Sequence, residues 1–454
     1  MSFRQPRFDA VRIVACLISL LPFLAGGQAC PARANDGRAP EPWNAASPPG
    51  PRAAHEVQPE GIVVGWGFND EGQIGDATKV DRNTMVKASG LGKVIALSAG
   101  SRFSVALKAD GTVWTWGYDY TGQLGDGRSD PRPQPQIVGG LSDVVSIAAG
   151  SSHVLALKRD GTVWAWGFGQ SGQLGHGFTG DPAFNKLEDT LYGFGRPVQV
   201  FGLHNIVAVS AGAFHSLALD GFGAVWAWGS NSHGELSETP GERVAFPSRI
   251  RGLGTVTAIS AGYWHNLALT ADGSVWGWGC NYSGQLGASP DPMSVARAPV
   301  PIPRLEHIIS IAAGRAHNLA IDQDGLVWTW GLNEFGMLAN GTAPEAVNPR
   351  PEPVMGLNGI VSVAAGYSHS VALASDGTVW SWGSNEYDSL GNGADVPPGR
   401  MRRVLAGLSG DYGPDSMAEI PRSATPGPVV GASRIRAISA SSSGWHTLAL
   451  VVSP

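Results

Sequence analysis

Apolar residues in this chain come in short runs of four to six, separated by turn-forming residues. Val154-Leu155-Ala156-Leu157 and Val163-Trp164-Ala165-Trp166 flank Lys158-Arg159-Asp160-Gly161. Asp-Gly between strand-formers predicts a β-hairpin, because glycine accepts the positive φ that the turn requires. The same dipeptide recurs at Asp110, Asp272, Asp324 and Asp376. Upstream, Val144 to Ala148 predicts another strand, closed by Ala149-Gly150. Gln136-Ile137-Val138 predicts a fourth, directly after Pro131, Pro133 and Pro135. Proline is confined to edge or strand-start positions, so this strand is expected at an outer edge.

Two modules repeat along the chain. Trp-Gly recurs at Trp66, Trp116, Trp166, Trp228, Trp278, Trp330 and Trp382, in steps of 50, 50, 62, 50, 52 and 52 residues. Six copies extend to Val-Trp-x-Trp-Gly, and Val64 replaces the outer tryptophan in the first. The other module reads LSAGSRFSVAL at 97–107, SIAAGSSHVLAL at 146–157, ISAGYWHNLAL at 259–269 and, with two extra residues, ISASSSGWHTLAL at 438–450. Seven copies of each, with four short strands per repeat, describe the blades of a β-propeller. Small residues close the innermost strand, where backbones crowd the axis. Trp164 and Trp166 share one strand face, and such pairs are expected to fill the gaps between blades.

The modules are out of phase at the ends. The ordered region opens mid-repeat at Gly61 and finishes with the module that belongs before it, Ile435 to Val452. The fold expected is therefore all-β: a seven-bladed propeller of four-stranded blades. Its N- and C-terminal strands pair in a composite blade, which removes two open sheet edges.

These modules resemble the regulator of chromosome condensation repeat: a hydrophobic strand, Ala-Gly, two variable residues and His, then Leu-Ala-Leu, Asp-Gly, Val-x-x-Trp-Gly, Asn and Gly-Gln-Leu-Gly. The last element stands at Gly122–Gly125, Gly172–Gly175 and Gly284–Gly287, with Gly72-Gln73-Ile74-Gly75 in the first repeat. The resemblance spans residues 61–453. Departures are local: Phe103 replaces the repeat histidine, Phe222 stands where Asp precedes Gly223, and Ser237, Ala339 and Asp388 alter the terminal turn.

Composition adds the cellular setting. Arg4, Arg7 and Arg12 precede an uncharged run from Ile13 to Ala25, too short for a lasting membrane span. Residues 1–34 read as an export signal, cleaved after Ala34 or Ala29, and the location expected is periplasmic or extracellular. Gly27 stands where a lipobox carries a Leu-like residue, which argues against a lipid anchor at Cys30. Residues 35–60 read as a Pro/Ala-rich disordered linker, and 61–454 as the propeller. Cleavage after Ala34 leaves Cys280 alone, without an intrachain disulfide. It also removes four arginines and one aspartate, taking the net charge from −6 to −9. That excludes a general nucleic-acid binder.

No catalytic residue, metal ligand or cofactor is expected. His153, His215, His265, His317, His369 and His446 recur with the blades. A metal ring is the alternative to interblade hydrogen bonds, but equivalent blade positions diverge from the axis while zinc ligands converge to about 2 Å of one point. Trp116, Trp166, Trp228, Trp278, Trp330 and Trp382 are assigned to interblade packing. Asp322-Gln323-Asp324-Gly325 lacks the distal glutamate of a calcium loop and reads as a hairpin. Gly-Gln-Leu-Gly lacks the Lys-Ser/Thr of a phosphate loop.

Function is expected where the repeat breaks. One insertion, near 176–196, carries Phe184, Tyr192 and Phe194; the other, near 392–433, carries Arg400, Arg402 and Arg403. Aromatic and arginine side chains on long loops predict binding of a protein partner by a monomeric scaffold. A carbohydrate- or cell-wall-binding lectin is the alternative. The resemblance implies two further readings: guanine-nucleotide exchange on a small GTPase, which the export signal and acidic chain oppose, and β-lactamase inhibition by propeller loops.

Overall fold

The computed structural model describes residues 61–177, 193–238, 241–287, 295–343, 346–394 and 421–452. They form 28 β-strands, in sequence β1 (Gly61–Gly67), β2 (Arg82–Lys87), β3 (Val94–Ala99), β4 (Phe103–Lys108), β5 (Val113–Gly117) and β6 (Arg132–Ile137). Then come β7 (Val144–Ala149), β8 (His153–Lys158), β9 (Val163–Phe168) and β10 (Gly193–Gln199), followed by β11 (Ile206–Ala211), β12 (His215–Asp220), β13 (Val225–Ser230) and β14 (Arg243–Arg249). Next are β15 (Val256–Ala261), β16 (His265–Thr270), β17 (Val275–Cys280), β18 (Val295–Pro301), β19 (Ile308–Ala313), β20 (His317–Asp322), β21 (Val327–Leu332) and β22 (Val347–Pro353). The last are β23 (Ile360–Ala365), β24 (His369–Ala374), β25 (Val379–Ser384), β26 (Arg422–Pro428), β27 (Ile435–Ala440) and β28 (His446–Val452).

Six antiparallel blades take four consecutive strands each, β3–β6 through β23–β26; we number them 1 to 6. The seventh is composite, in the order β27–β28–β1–β2. Its β-ladder joins that of blade 1 at a single bridge between Gly61 and Val94. β28 pairs with β1 along its whole length, from Gly61 opposite Val452 to Gly67 opposite His446. The chain ends thus become an interior strand pair, and the propeller is closed. β6 is an outer edge strand carrying Pro133 and Pro135; it spans Arg132–Ile137, and Val138 lies just beyond it, buried. Asp-Gly forms the hairpin turns, with Gly161 at φ +79° and Gly273 at φ +82°. Asp322 caps its own turn, accepting from the Asp324 and Leu326 amides and from Trp328 Nε1.

The core lies between blades. Trp166 is wholly buried against Phe103, Leu124 and Val154 of the blade 1–blade 2 interface, and Trp164 packs on the same cluster, half-buried. Burying one aromatic ring of this kind contributes about 2–3 kcal/mol. The innermost strands surround an axial cavity of about 240 Å³, lined by Ser98, Ala149, Ala211, Ser260, Ala313, Ala365 and Ser439 among others. Four of its serines stitch neighbouring blades: the Ala149, Ala261, Ala313 and Ala99 amides donate to Ser98, Ser210, Ser260 and Ser439 Oγ at 2.9–3.0 Å.

Candidate functional site

Each repeat histidine turns to the next blade. His153 Nε2 lies 3.0 Å from Ser216 Oγ, His215 Nε2 2.8 Å from Asn266 Oδ1, and His265 Nε2 2.7 Å from Asn318 Oδ1. His317 reaches Ser370 at 3.1 Å, His369 reaches Thr447 at 2.9 Å, and His446 reaches Ser104 at 2.9 Å. The amide oxygens only accept, so His215 and His265 donate from Nε2. Ser104, Ser216 and Ser370 spend their protons on the carbonyls of Gln73, Gln173 and Met337, so the rings facing them donate as well. Those carbonyls sit in the Gly-Gln-Leu-Gly turn and its variants. Each also accepts the next blade's tryptophan, as Trp116 Nε1 donates to Gln73 O at 2.8 Å and Trp382 Nε1 to Met337 O at 2.7 Å. The turn is therefore the socket of the neighbouring blade, using both carbonyl lone pairs.

Burial holds these rings neutral. His153, His317 and His446 are depressed to about 3, His265 and His369 to about 4, and His215 is also lowered. A preceding glycine makes room for five of the six rings, His446 excepted: a Cβ at Gly314 would stand 2.7 Å from His317 Cε1. One seam differs. Phe103 takes the histidine position of blade 1, and Val154 takes the facing hydroxyl position of blade 2, so that contact is apolar. Among the described residues, no three His, Cys, Asp or Glu side chains gather as metal ligands.

Chemistry exposed to a partner lies where the axis opens. The two residues between Ala-Gly and the histidine form the loop from first to second strand, and they vary from blade to blade. Backbone bonds tie these loops into a collar: the Tyr263 amide donates to Gly314 O at 3.1 Å, and the Tyr367 amide to Gly444 O at 3.2 Å. Across the collar runs a chain of rings. Phe168 meets Phe214 at 6.1 Å, Phe214 meets Tyr263 at 6.3 Å, Tyr263 meets Tyr367 at 6.3 Å, and Tyr367 meets Trp445 at 4.6 Å. Trp445 then touches Phe68 and Tyr387. A branch leads through Trp264, stacked on His233 at 4.6 Å, toward the exposed Tyr282. Arg315 lies over the Tyr367 ring at 4.5 Å and pairs with Glu334; Arg102 lies over Phe68 at 5.3 Å and pairs with Asp70. Most of these rings are half-buried, braced by neighbours while presenting an edge or face outward.

The residues singled out by insertion fall elsewhere. Phe184, Tyr192, Arg400, Arg402 and Arg403 lie outside the described residues. Phe194 stands in β10, half-buried, its ring edge-on to His176 at 4.5 Å and packed on the blade 2–blade 3 core. Both insertions fall between a third strand and a fourth, β9 and β10 in one case and β25 and β26 in the other. The collar rings escaped the sequence reading because they sit at positions 68 to 445 and converge only when the ring closes. The signal was the variable pair itself, rich in Tyr, Trp, Phe and Arg.

A family model described as RCC1-like domain matches residues 54–354 and 195–453. The chain belongs to the RCC1-like domain family. Solved relatives share the RCC1-like propeller. Saccharomyces cerevisiae Prp20p, a protein with binding properties toward Gsp1p and histones, is 25% identical over 88% of this chain and 93% of its own, with TM-score 0.71. Human WBSCR16 is 22% identical over 87% of this chain and 99% of its own, also with TM-score 0.71, a likeness of fold. Schizosaccharomyces pombe protein pim1 is 31% identical over 44% of this RCC1-like chain and 31% of its own length. The probable human E3 ubiquitin-protein ligase HERC6 is 37% identical over 23% of this chain, which spans only 11% of that relative.

Proposed function

We propose that this RCC1-like propeller is an exported, non-enzymatic scaffold that docks a protein partner on its aromatic face. The observation that carries the reading is the run of rings from Phe168 to Trp445 across the axial collar, with Arg102 and Arg315 laid on two of them. Tyrosine, tryptophan and arginine dominate interface hot spots because they bury much area at low entropic cost. The collar's backbone bonds preorganise them, which lowers the cost of association. The likeness to yeast Prp20, which binds Gsp1p, histones and Kap60, supports a protein partner over a small molecule. Among the described residues, no helix is long and apolar enough to cross a membrane. A glycan is the second reading, favoured by the exposed rings of Tyr120 and Tyr282 at the rim.

Affinity capture from the source cells tests the docking reading. Wild type and the opposite-face variant Met355→Ala should retain the same protein, and Tyr263→Ala/Trp445→Ala should lose it. Equal retention by the collar variant would end the reading, and saturable binding on a glycan array that the collar variant loses would transfer the face to the lectin.

A further inference from the structure

The two faces of the propeller differ in charge, and the difference names the chemistry of the partner. This step rests on the docking reading above. Connections from first to second strand and from third to fourth strand lie on the aromatic face; their described residues include thirteen Asp or Glu, eleven of them once the wholly buried Asp119 and Glu235 are set aside, against four Lys or Arg. Connections on the opposite face hold seven against five. Three of the four cations, Lys79, Arg102 and Arg315, are already paired with Glu71, Asp70 and Glu334. The excess is densest over the composite blade and its neighbour. There Asp81 accepts the Asn69 amide at 2.7 Å, with Asp70 and Asp388 close enough to repel it. Burial first, then this like-charge repulsion, lifts the Asp81 carboxyl to about 6; burial lifts Glu386 to about 7. Carboxyls so placed gain from any cation brought to the surface.

We propose that the partner presents a lysine- or arginine-rich segment to this face, its cations meeting the acidic collar edge while its apolar side chains lie on the ring array. Aromatic edges beside carboxylates suit such a segment, since aliphatic stems pack on rings and ammonium or guanidinium heads take the ring face and the acid together. Complementary fields of this kind raise association rates and fix orientation.

The test is fluorescence anisotropy at 50 mM salt with labelled octa-lysine and octa-glutamate peptides and the full chain. Octa-lysine should bind at least about tenfold more tightly than octa-glutamate, and about fivefold or more of that should be lost on raising salt to 300 mM. Neutralising the aromatic face with Glu71→Gln/Glu238→Gln/Glu242→Gln should weaken octa-lysine about fivefold, while Asp143→Asn/Glu306→Gln/Asp324→Asn on the other face should leave it within about twofold. Equal binding of the two peptides, or an equal loss from either face, overturns the inference. The readings fail separately. A captured partner that depends on Tyr263 and Trp445 but contacts the face through acidic residues sinks this proposal and leaves docking intact. Octa-lysine binding to the aromatic face without any collar-dependent partner sinks docking.

Discussion

His446 Nε2 lies 2.9 Å from Ser104 Oγ, so the last histidine of the chain is bonded to the first complete blade. The same bond recurs at five other seams, and at the seventh Phe103 faces Val154. A polar pair and an apolar pair therefore solve one packing problem, and a mixed pair solves neither.

His265→Phe alone should cost about 1–3 kcal/mol, because Asn318 Oδ1 loses its buried donor. Adding Asn318→Val copies the Phe103–Val154 seam and should recover at least half the loss. Urea unfolding of both single variants and the double variant measures the coupling. Strictly additive losses would contradict the equivalence of the two seams.

Acid should loosen the ring before it protonates the surface carboxylates. All six histidines titrate below 6.5 when folded, five of them at about 3 to 4, and near 6.5 when unfolded, so the unfolded chain binds more protons as pH falls. Their stabilisation is complete above pH 6.5 and is lost down to about pH 3, at up to about 1.4 kcal/mol per ring per pH unit. Four raised carboxyls, Asp70, Asp81, Asp119 and Glu386, oppose this but are fewer than the six rings. The melting temperature should therefore fall steadily from pH 6.5 to 4. A flat profile over that range would exclude neutral buried rings.

Asp119→Asn should stabilise the protein at neutral pH. Asn69, Asn231, Asn281, Asn333 and Asn385 hold the equivalent turn position, each accepting the amide of the residue five places on. Asp119 accepts the Leu124 amide in the same way, but burial raises its carboxyl to about 8. A raised acid costs stability as pH climbs from about 4 to 8, so the gain from Asn should be greatest near pH 8 and vanish below pH 4. Thermal melts of the two proteins at pH 4 and pH 8 check this; a gain independent of pH would contradict it.

Blade count and closure were legible because both are consequences of period and phase. Seven Trp-Gly copies, most about 50 residues apart, fix the wedges, and a leading half-module with a trailing complement leaves one free edge each of Gly61–Gly67 and His446–Val452 to pair with the other. The turn's role as a socket was not legible, since the carbonyls of Gln73 or Met337 carry no side-chain signal. That backbone use explains why Glu235, Met337 and Ser389 serve in place of glutamine. The collar was hidden for a different reason. Tyr263 and Tyr367 are a hundred residues apart and meet only across the axis.

Ring closure is tested most directly by calorimetry on a chain ending at Arg434, which lacks β27 and β28. The account predicts no cooperative melting transition and rapid proteolysis, because β1 loses its partner along its whole length and blade 1 loses the His446 bond. A truncated chain that melts at the temperature of the intact protein would contradict it.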